Sequence, residues 1–143
     1  MPLEHPARDP YLHPARLPEL LALVQVLAYG RSANRGEGGI RTTLGAEPSS
    51  ASGWTELARQ HPELFRVSGG REPSASLIAR HVQASAEDGS RTPLDDATVG
   101  RLITMTLALH ADAQARADAA NAQLRRSEDR LAEAHERRKD REV

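Results

Sequence analysis

The chain has 143 residues, enough for one domain of ordinary size or for a smaller domain with an extension. It carries 19 basic and 20 acidic residues, no cysteine, and only 3% aromatic side chains. That balance excludes disulfides and thiolate metal sites, and it lacks the net positive field of a dedicated nucleic-acid binder.

Splitting the chain does not reveal a hidden charge. Residues 1–92 hold ten arginines against ten acids, and residues 93–143 hold nine basic residues against ten acids. All four aromatics (Tyr11, Tyr29, Trp54, Phe65) lie in the first half, so the compact domain is expected there, with a small aliphatic core. The longest apolar run near the N-terminus, Leu20–Val24, is far short of the roughly 20 residues of a membrane span. The proline-rich, acid-bearing start is unlike a secretory signal, and a cytoplasmic location is the expectation. Nearly all basic residues are arginine, which fits a GC-rich bacterial gene.

Residues 1–16 read as an extended arm, because prolines fix φ and remove donors. Its Arg-bearing tetrapeptide occurs twice, His5–Arg8 and His13–Arg16. Two readings stand side by side: a tail lying on the surface, or an arm entering a DNA minor groove. Pro18 then suits a first helical turn. Leu20, Leu21, Val24, Leu27 and Ala28 recur at helical spacing, and Leu23 and Val26 make the other face apolar too. Such a helix is a buried one, and Gly30 stops it.

In Arg31–Gly45 the glycines lower helix propensity, but Ile40 and Leu44 at i,i+4 allow a short helix closed by Gly45. A phosphate loop would need a Gly-Lys-Ser/Thr ending after a strand, and neither is present. Pro48-Ser49-Ser50 offers turn and cap chemistry for a helix over Ser50–Gln60, with Trp54, Leu57, Ala58 and Leu64 inward. His61-Pro62 ends it. Phe65-Arg66-Val67 alternates as a strand and Ser76–Val82 as its partner, with a turn-rich tip at Ser68–Pro73. In this pairing Phe65 and Val67 face Leu77 and Ala79.

Ala84–Arg91 reads as a polar linker. Thr92 as N-cap, Pro93 at the first position and Asp95-Asp96 near the positive end start another helix. From Leu94 onward Gly100 is the lone interruption, so the helix runs about 45 residues, or roughly 70 Å. Val99, Leu102, Ile103, Leu107 and Leu109 pack it on the domain over Ile78 and Val82. A heptad frame places Ile103, His110, Ala117, Leu124, Leu131 and Arg138 at one seam position. It places Val99, Thr106, Ala113, Ala120, Ser127 and Ala134 at the other. The alternative is a single charged helix in solvent.

No pair of the six histidines has His-x-x-x-His spacing, and no Gly-x-Ser-x-Gly elbow occurs. No catalytic constellation, metal site, cofactor site or small-molecule site is expected.

A helix, a strand, a turn-rich tip and a second strand after an apolar helix is the order of a winged helix-turn-helix. The run Trp54-Thr-Glu-Leu-Ala-Arg-Gln-His-Pro-Glu-Leu-Phe-Arg-Val, continued by Leu77-Ile-Ala-Arg-His-Val, resembles an uncharacterised group of bacterial winged-helix-like proteins over about residues 17–110. The resemblance implies a winged helix followed by a long helix, which in that group leads to a membrane anchor. Residues 110–143 here are charged instead, so the membrane role is not carried over.

The fold expected is mainly α with a small β-hairpin (α+β): an arm at 1–16, a winged-helix domain at 17–92 and a long helix at 93–143. The expected function is non-enzymatic. The domain docks a protein partner, and the long helix mediates oligomerisation, a homodimer, or further partner contact. Its seam residues are Ile103, Ala113, Ala117, Ala120, Leu124 and Leu131. The alternative is a dimeric DNA-binding regulator whose 50–60 helix and 66–76 wing meet duplex DNA. Candidate contacts for either partner are Arg41, Ser52, Thr55, Arg59, Gln60 and Arg71. Glu56 in the middle of that face opposes phosphate.

Overall fold

The computed structural model describes residues 9–81 and 92–141. A 3-10 turn at Pro10–Leu12 leads into α1 (Arg16–Tyr29), β1 (Arg35–Gly36), α2 (Glu37–Leu44) and α3 (Trp54–Arg59). Then come β2 (Phe65–Val67), β3 (Ser74–Leu77), α4 (Ile78–His81) and α5 (Asp96–Arg141). The chain is mainly helical, with a three-stranded antiparallel sheet in the order β1-β3-β2 and a long C-terminal helix.

α1 is the hub. Leu20, Leu23, Val24 and Leu27 all have 0% exposure, as its nearly all-round apolar pattern requires. Each such burial is worth about 1.5–3 kcal/mol. Trp54, Leu57, Ala58 and Leu64 are buried in the same core as expected, joined by Ile40 of α2 and by Phe65, Ala75 and Leu77 of the sheet. The Trp54 indole donates to Ala46 O at 2.9 Å, so its burial leaves no unpaired N–H.

A buried helix brings its unpaired terminal carbonyls inside with it. Gly30 N–H takes Val26 O at 3.2 Å, and Leu94 N–H, from the segment before α5, takes Ala28 O at 3.0 Å. Arg80 of α4, 0% exposed, meets Leu27 O and the carbonyls just past the helix end. Its guanidinium donates to Leu27 O at 3.0 Å, to Ser32 O at 3.3 Å and to Gly30 O. A cation at a helix C-terminus also complements the helix dipole.

A second fastening joins the helices. The α3 N-terminus begins at Gly53, which has no side chain to cap it. Glu37, in the first turn of α2, reaches across and accepts from Trp54 N–H and Thr55 N–H, both at 2.7 Å. A Cβ on Gly53 would stand 2.8 Å from that carboxylate, so glycine leaves the room the cap needs. Gly45 ends α2 in the left-handed region at φ 74°, where glycine carries no Cβ penalty.

The structure corrects several expectations. Residues 9–16 are not an extended arm. Asp9 accepts from Tyr11 N–H at 3.0 Å to cap the 3-10 turn, Tyr11 is buried in the core, and Arg16 already belongs to α1. Cap chemistry at Ser49-Ser50 is inverted, since these serines are held by Glu19 of α1 rather than capping α3. β3 starts at Ser74 and stops at Leu77, so Val67 pairs with Ala75 and not with Ala79. The ladder ends because β2 begins at Phe65. Ile78 N–H bonds Leu64 O at 3.0 Å, the chain then turns helical, and Ile78 is left 37% exposed. Val82 and the 84–91 linker lie outside the described residues.

α5 is 46 residues long, as its lack of breakers implies. Its cap is Asp95, whose carboxylate takes Thr98 N–H at 2.7 Å, and not Thr92. Thr92–Asp95 stay non-helical because Leu94 is buried and bonded to Ala28. The helix docks on α1 and the 3-10 turn rather than over Ile78. Leu107, expected inward, is 44% exposed.

Replacing Arg80 with Met should lower stability by about 2–4 kcal/mol, because several buried carbonyls lose their donor. Arg66→Met on exposed β2 should cost far less, and urea unfolding of the two variants compares them. Glu37→Ala and Gly53→Ala should each cost about 1–2 kcal/mol through the same cap. Their double mutant should cost clearly less than the sum, read as a coupling energy in a double-mutant cycle.

Candidate functional site

The face expected to meet a partner is built by α3, the loop before it and the β2–β3 turn. Ser52, Arg59 and Gln60 are exposed there, Arg71 is exposed on the turn, and Arg41 is exposed on α2. Thr55 is a correction. It is 7% exposed, and its N–H is held by Glu37, so the first turn of α3 directs it inward.

Arg59 on α3 and the neighbouring Arg41 and Arg35 are engaged by groups of the chain itself, whereas Arg71 on the turn stands exposed. Arg59 Nη1 lies 2.5 Å from Glu56 Oε2, and Gln60 Nε2 reaches Glu56 Oε1 at 3.5 Å. Arg41 pairs with Glu47 at 3.3 Å. Arg35, at the start of β1, is half-buried and donates to Gly39 O at 3.2 Å and Thr43 Oγ1 at 2.8 Å. Such exposed pairs add little stability, but they cancel the positive field that phosphate would need.

Under this face lies a buried polar chain. Tyr11 Oη donates to Glu63 Oε1 at 2.5 Å, and the same oxygen is 2.9 Å from His61 Nδ1. On the other side of the ring, Arg16 Nη1 is 3.0 Å from His61 Nε2. Arginine can only donate, so Nε2 accepts, Nδ1 carries the proton, and that proton points at Glu63. Arg16 also donates to Ser50 Oγ at 2.9 Å and Ser50 O at 2.6 Å. The Tyr11 ring meets His61 edge-on at 4.5 Å between centroids.

Burial sets the protonation of this chain. His61 has 0% exposure, and loss of solvent holds its pKa below the ordinary value, against the pull of the Glu63 hydrogen bond. Burial pushes the Tyr11 hydroxyl well up, and the Glu63 carboxylate adds to it. Burial would raise Glu63, but hydrogen bonds from Tyr11, its own backbone and His61 together bring it below the usual carboxylate range. Burial likewise lowers Arg16. The chain is a fastener between the 3-10 turn, α1 and the end of α3, and its histidine has no open face on which to act as an acid or base. A groove of about 530 Å³ runs beside it, between Pro10, Leu12 and His13 on one side and Ser50 and Gln60 on the other.

A further polar pairing is Ser76 Oγ with His81 Nε2 at 2.7 Å. Ser76 is 1% exposed, and the bond closes the strand-to-helix turn. Among the described residues, no group of three or more His, Asp or Glu side chains could hold a metal ion. No helix among them is long and apolar enough to cross a membrane.

On α5, the seam residues divide. Ala113 is 1% exposed and buried with Val99 and Thr106 against the domain, and Ile103 and Ala117 are half-buried on the same stripe. Ala120, Leu124 and Leu131 are exposed. The sequence reading missed Glu19, Glu37, Arg16 and Arg80 as structural residues. The one local signal was Gly53, a helix start without a capping side chain.

The His61 shift has a defined sign. The unfolded chain, with an ordinary value near 6.5, binds more protons than the folded one below that pH. The contribution is therefore present above pH 6.5 and is lost as pH falls below it. Thermal unfolding followed from pH 7.5 to pH 5 should show a falling midpoint, and His61→Gln should flatten that slope while lowering the midpoint at pH 7.5.

No protein-family profile, curated protein or solved structure matches the chain.

Proposed function

We propose that this is a non-enzymatic winged-helix protein whose α3–hairpin face docks a protein partner, with α5 mediating oligomerisation or a further contact. One observation carries the choice of partner class. Glu56 sits in the middle of that face and engages both Arg59 and Gln60, the residues best placed to reach DNA. Arg41 is likewise taken by Glu47. A face of paired charges around exposed small polar groups suits the rim of a protein interface better than a phosphate backbone.

The element order supports the winged-helix reading: helix, short strand, two helices, then a hairpin whose second strand pairs with the first strand. The loop joining α2 and α3, residues 45–53, is longer than the tight turn of many helix-turn-helix units. It is held by Glu19 at one end and Glu37 at the other. The rival, a DNA-binding regulator, draws on Arg66 and Arg71, exposed on the hairpin.

A duplex-DNA titration on protein of known oligomeric state separates the two. Protein docking predicts no binding at about 50 mM salt, where nonspecific phosphate contacts are strongest. It also predicts that a photo-crosslinking residue at Gln60 or Arg71 captures one defined protein that the same residue at Asp112 does not. Salt-sensitive duplex binding weakened by Arg59→Ala would instead establish the regulator.

A further inference from the structure

One stripe of α5 serves two segments of the helix. Over its first turns, Val99, Thr106 and Ala113 are buried on α1 and the 3-10 turn, and Ile103, His110 and Ala117 are half-buried. The Thr106 hydroxyl bonds back to Leu102 O at 2.8 Å, so even the polar member of the stripe is satisfied in place. Every residue from 118 to 141 is exposed. That projecting segment is about 36 Å long at 1.5 Å per residue.

The stripe continues along it as Ala120, Leu124, Ser127, Leu131 and Ala134. Leu124 at 60% and Leu131 at 72% are the most exposed of the large apolar side chains among the described residues. A heptad stripe drifts about 20° per repeat on a straight helix, roughly 60° between the middle of the docked part and the middle of the projecting part. That stays within an apolar stripe about 100° wide. The interface with the domain is therefore continuous with the exposed leucines.

We propose that two copies of this chain pair through the projecting segments in antiparallel orientation. The proposal deepens the reading of α5 as an oligomerisation element and rests on it. Parallel pairing on this stripe is blocked, because each domain occupies the same face of its own helix and two domains would have to fit between the paired helices. Antiparallel pairing sends each domain to an opposite end.

One register fits the shape of the stripe. Leu124 set against Ala134 of the second copy also sets Leu131 against Ser127, so each leucine meets a small residue and the axes can approach closely. The same register brings Arg141 of one copy opposite Ala117 of the other. In this register residues 118–140 of the two copies lie side by side. Flanking charges (Arg130 and Arg137 on one edge, Glu128 and His135 on the other) do not favour this register, and leucine burial carries it. The assembly would hold two docking faces about 60 Å apart along the shared axis, a bivalent spacing.

The chain has no cysteine, so engineered thiols report pairing without background. Differently tagged Leu124→Cys and Ala134→Cys proteins, mixed and mildly oxidised, should give a disulfide-linked heterodimer. Ala120→Cys alone should give none, because the two thiols would stand about 27 Å apart along the axis. Sedimentation should show a dimer that is lost in the Leu124→Ala/Leu131→Ala variant, with far-UV and thermal signatures of the domain retained. A homodimeric Ala120→Cys crosslink would overturn the orientation while leaving α5 as an oligomerisation element. A monomer at every concentration would overturn both, without touching partner docking by α3. A dimer that survives the double leucine variant would place the interface elsewhere and overturn the seam.

Discussion

Burying α1 on all sides forces the rest of the chain to supply partners for its ends. Leu20, Leu23, Val24 and Leu27 have no exposure, so the helix cannot turn a polar face to water. Its last carbonyls are met by Arg80 from α4 and by Leu94 N–H from the approach to α5. Its first turn holds Ser50 through Arg16 and the Ser49 and Ser50 amides through Glu19. α2, β3, α5 and the 3-10 turn cover its sides, and α3 and the other strands pack in turn on α2 and β3.

The small aromatic content has a structural counterpart. With so few large rings, the domain gains order from charged side chains turned inward. Arg16 and Arg80 at 2% and 0% exposure, and Glu37 across the α2–α3 gap, act as internal fasteners. Buried charge is costly unless each donor and acceptor is met, and these are met largely by backbone groups that a short-element fold leaves unpaired. The same economy shapes the surface. Arg41 and Arg59 are paired with neighbouring glutamates, and that pairing is the ground for proposing a protein partner at this face.

α5 links the fold to the proposed assembly. Its docked turns complete the core through Val99, Thr106 and Ala113, and its later turns carry the same stripe into solvent. The ion pair of Arg116 with Asp9, at 3.4 Å, lies near the outer edge of the docked part. Beyond it a helix of alternating charge has only intrahelical support, which is why its exposed leucines carry the assembly proposal.

Elements governed by local rules were legible in the sequence. The periodicity of Leu20–Ala28 set the central helix, Gly45 set an α2 stop in the left-handed region, the alternation at Phe65–Val67 set β2, and the absence of breakers after Pro93 set α5. The inward side chains of α3 followed from spacing except Thr55, whose burial depends on the Glu37 cap. What required the tertiary structure were choices made by contacts distant in sequence. Tyr11 joined the core, β3 ended at Leu77 because β2 offered no further partner, and Arg16 and Arg80 turned inward. Arginine looks the same in sequence whether it reaches for phosphate, pairs with a surface glutamate or caps a buried helix. Only the position of acceptors 30 to 50 residues away decides which.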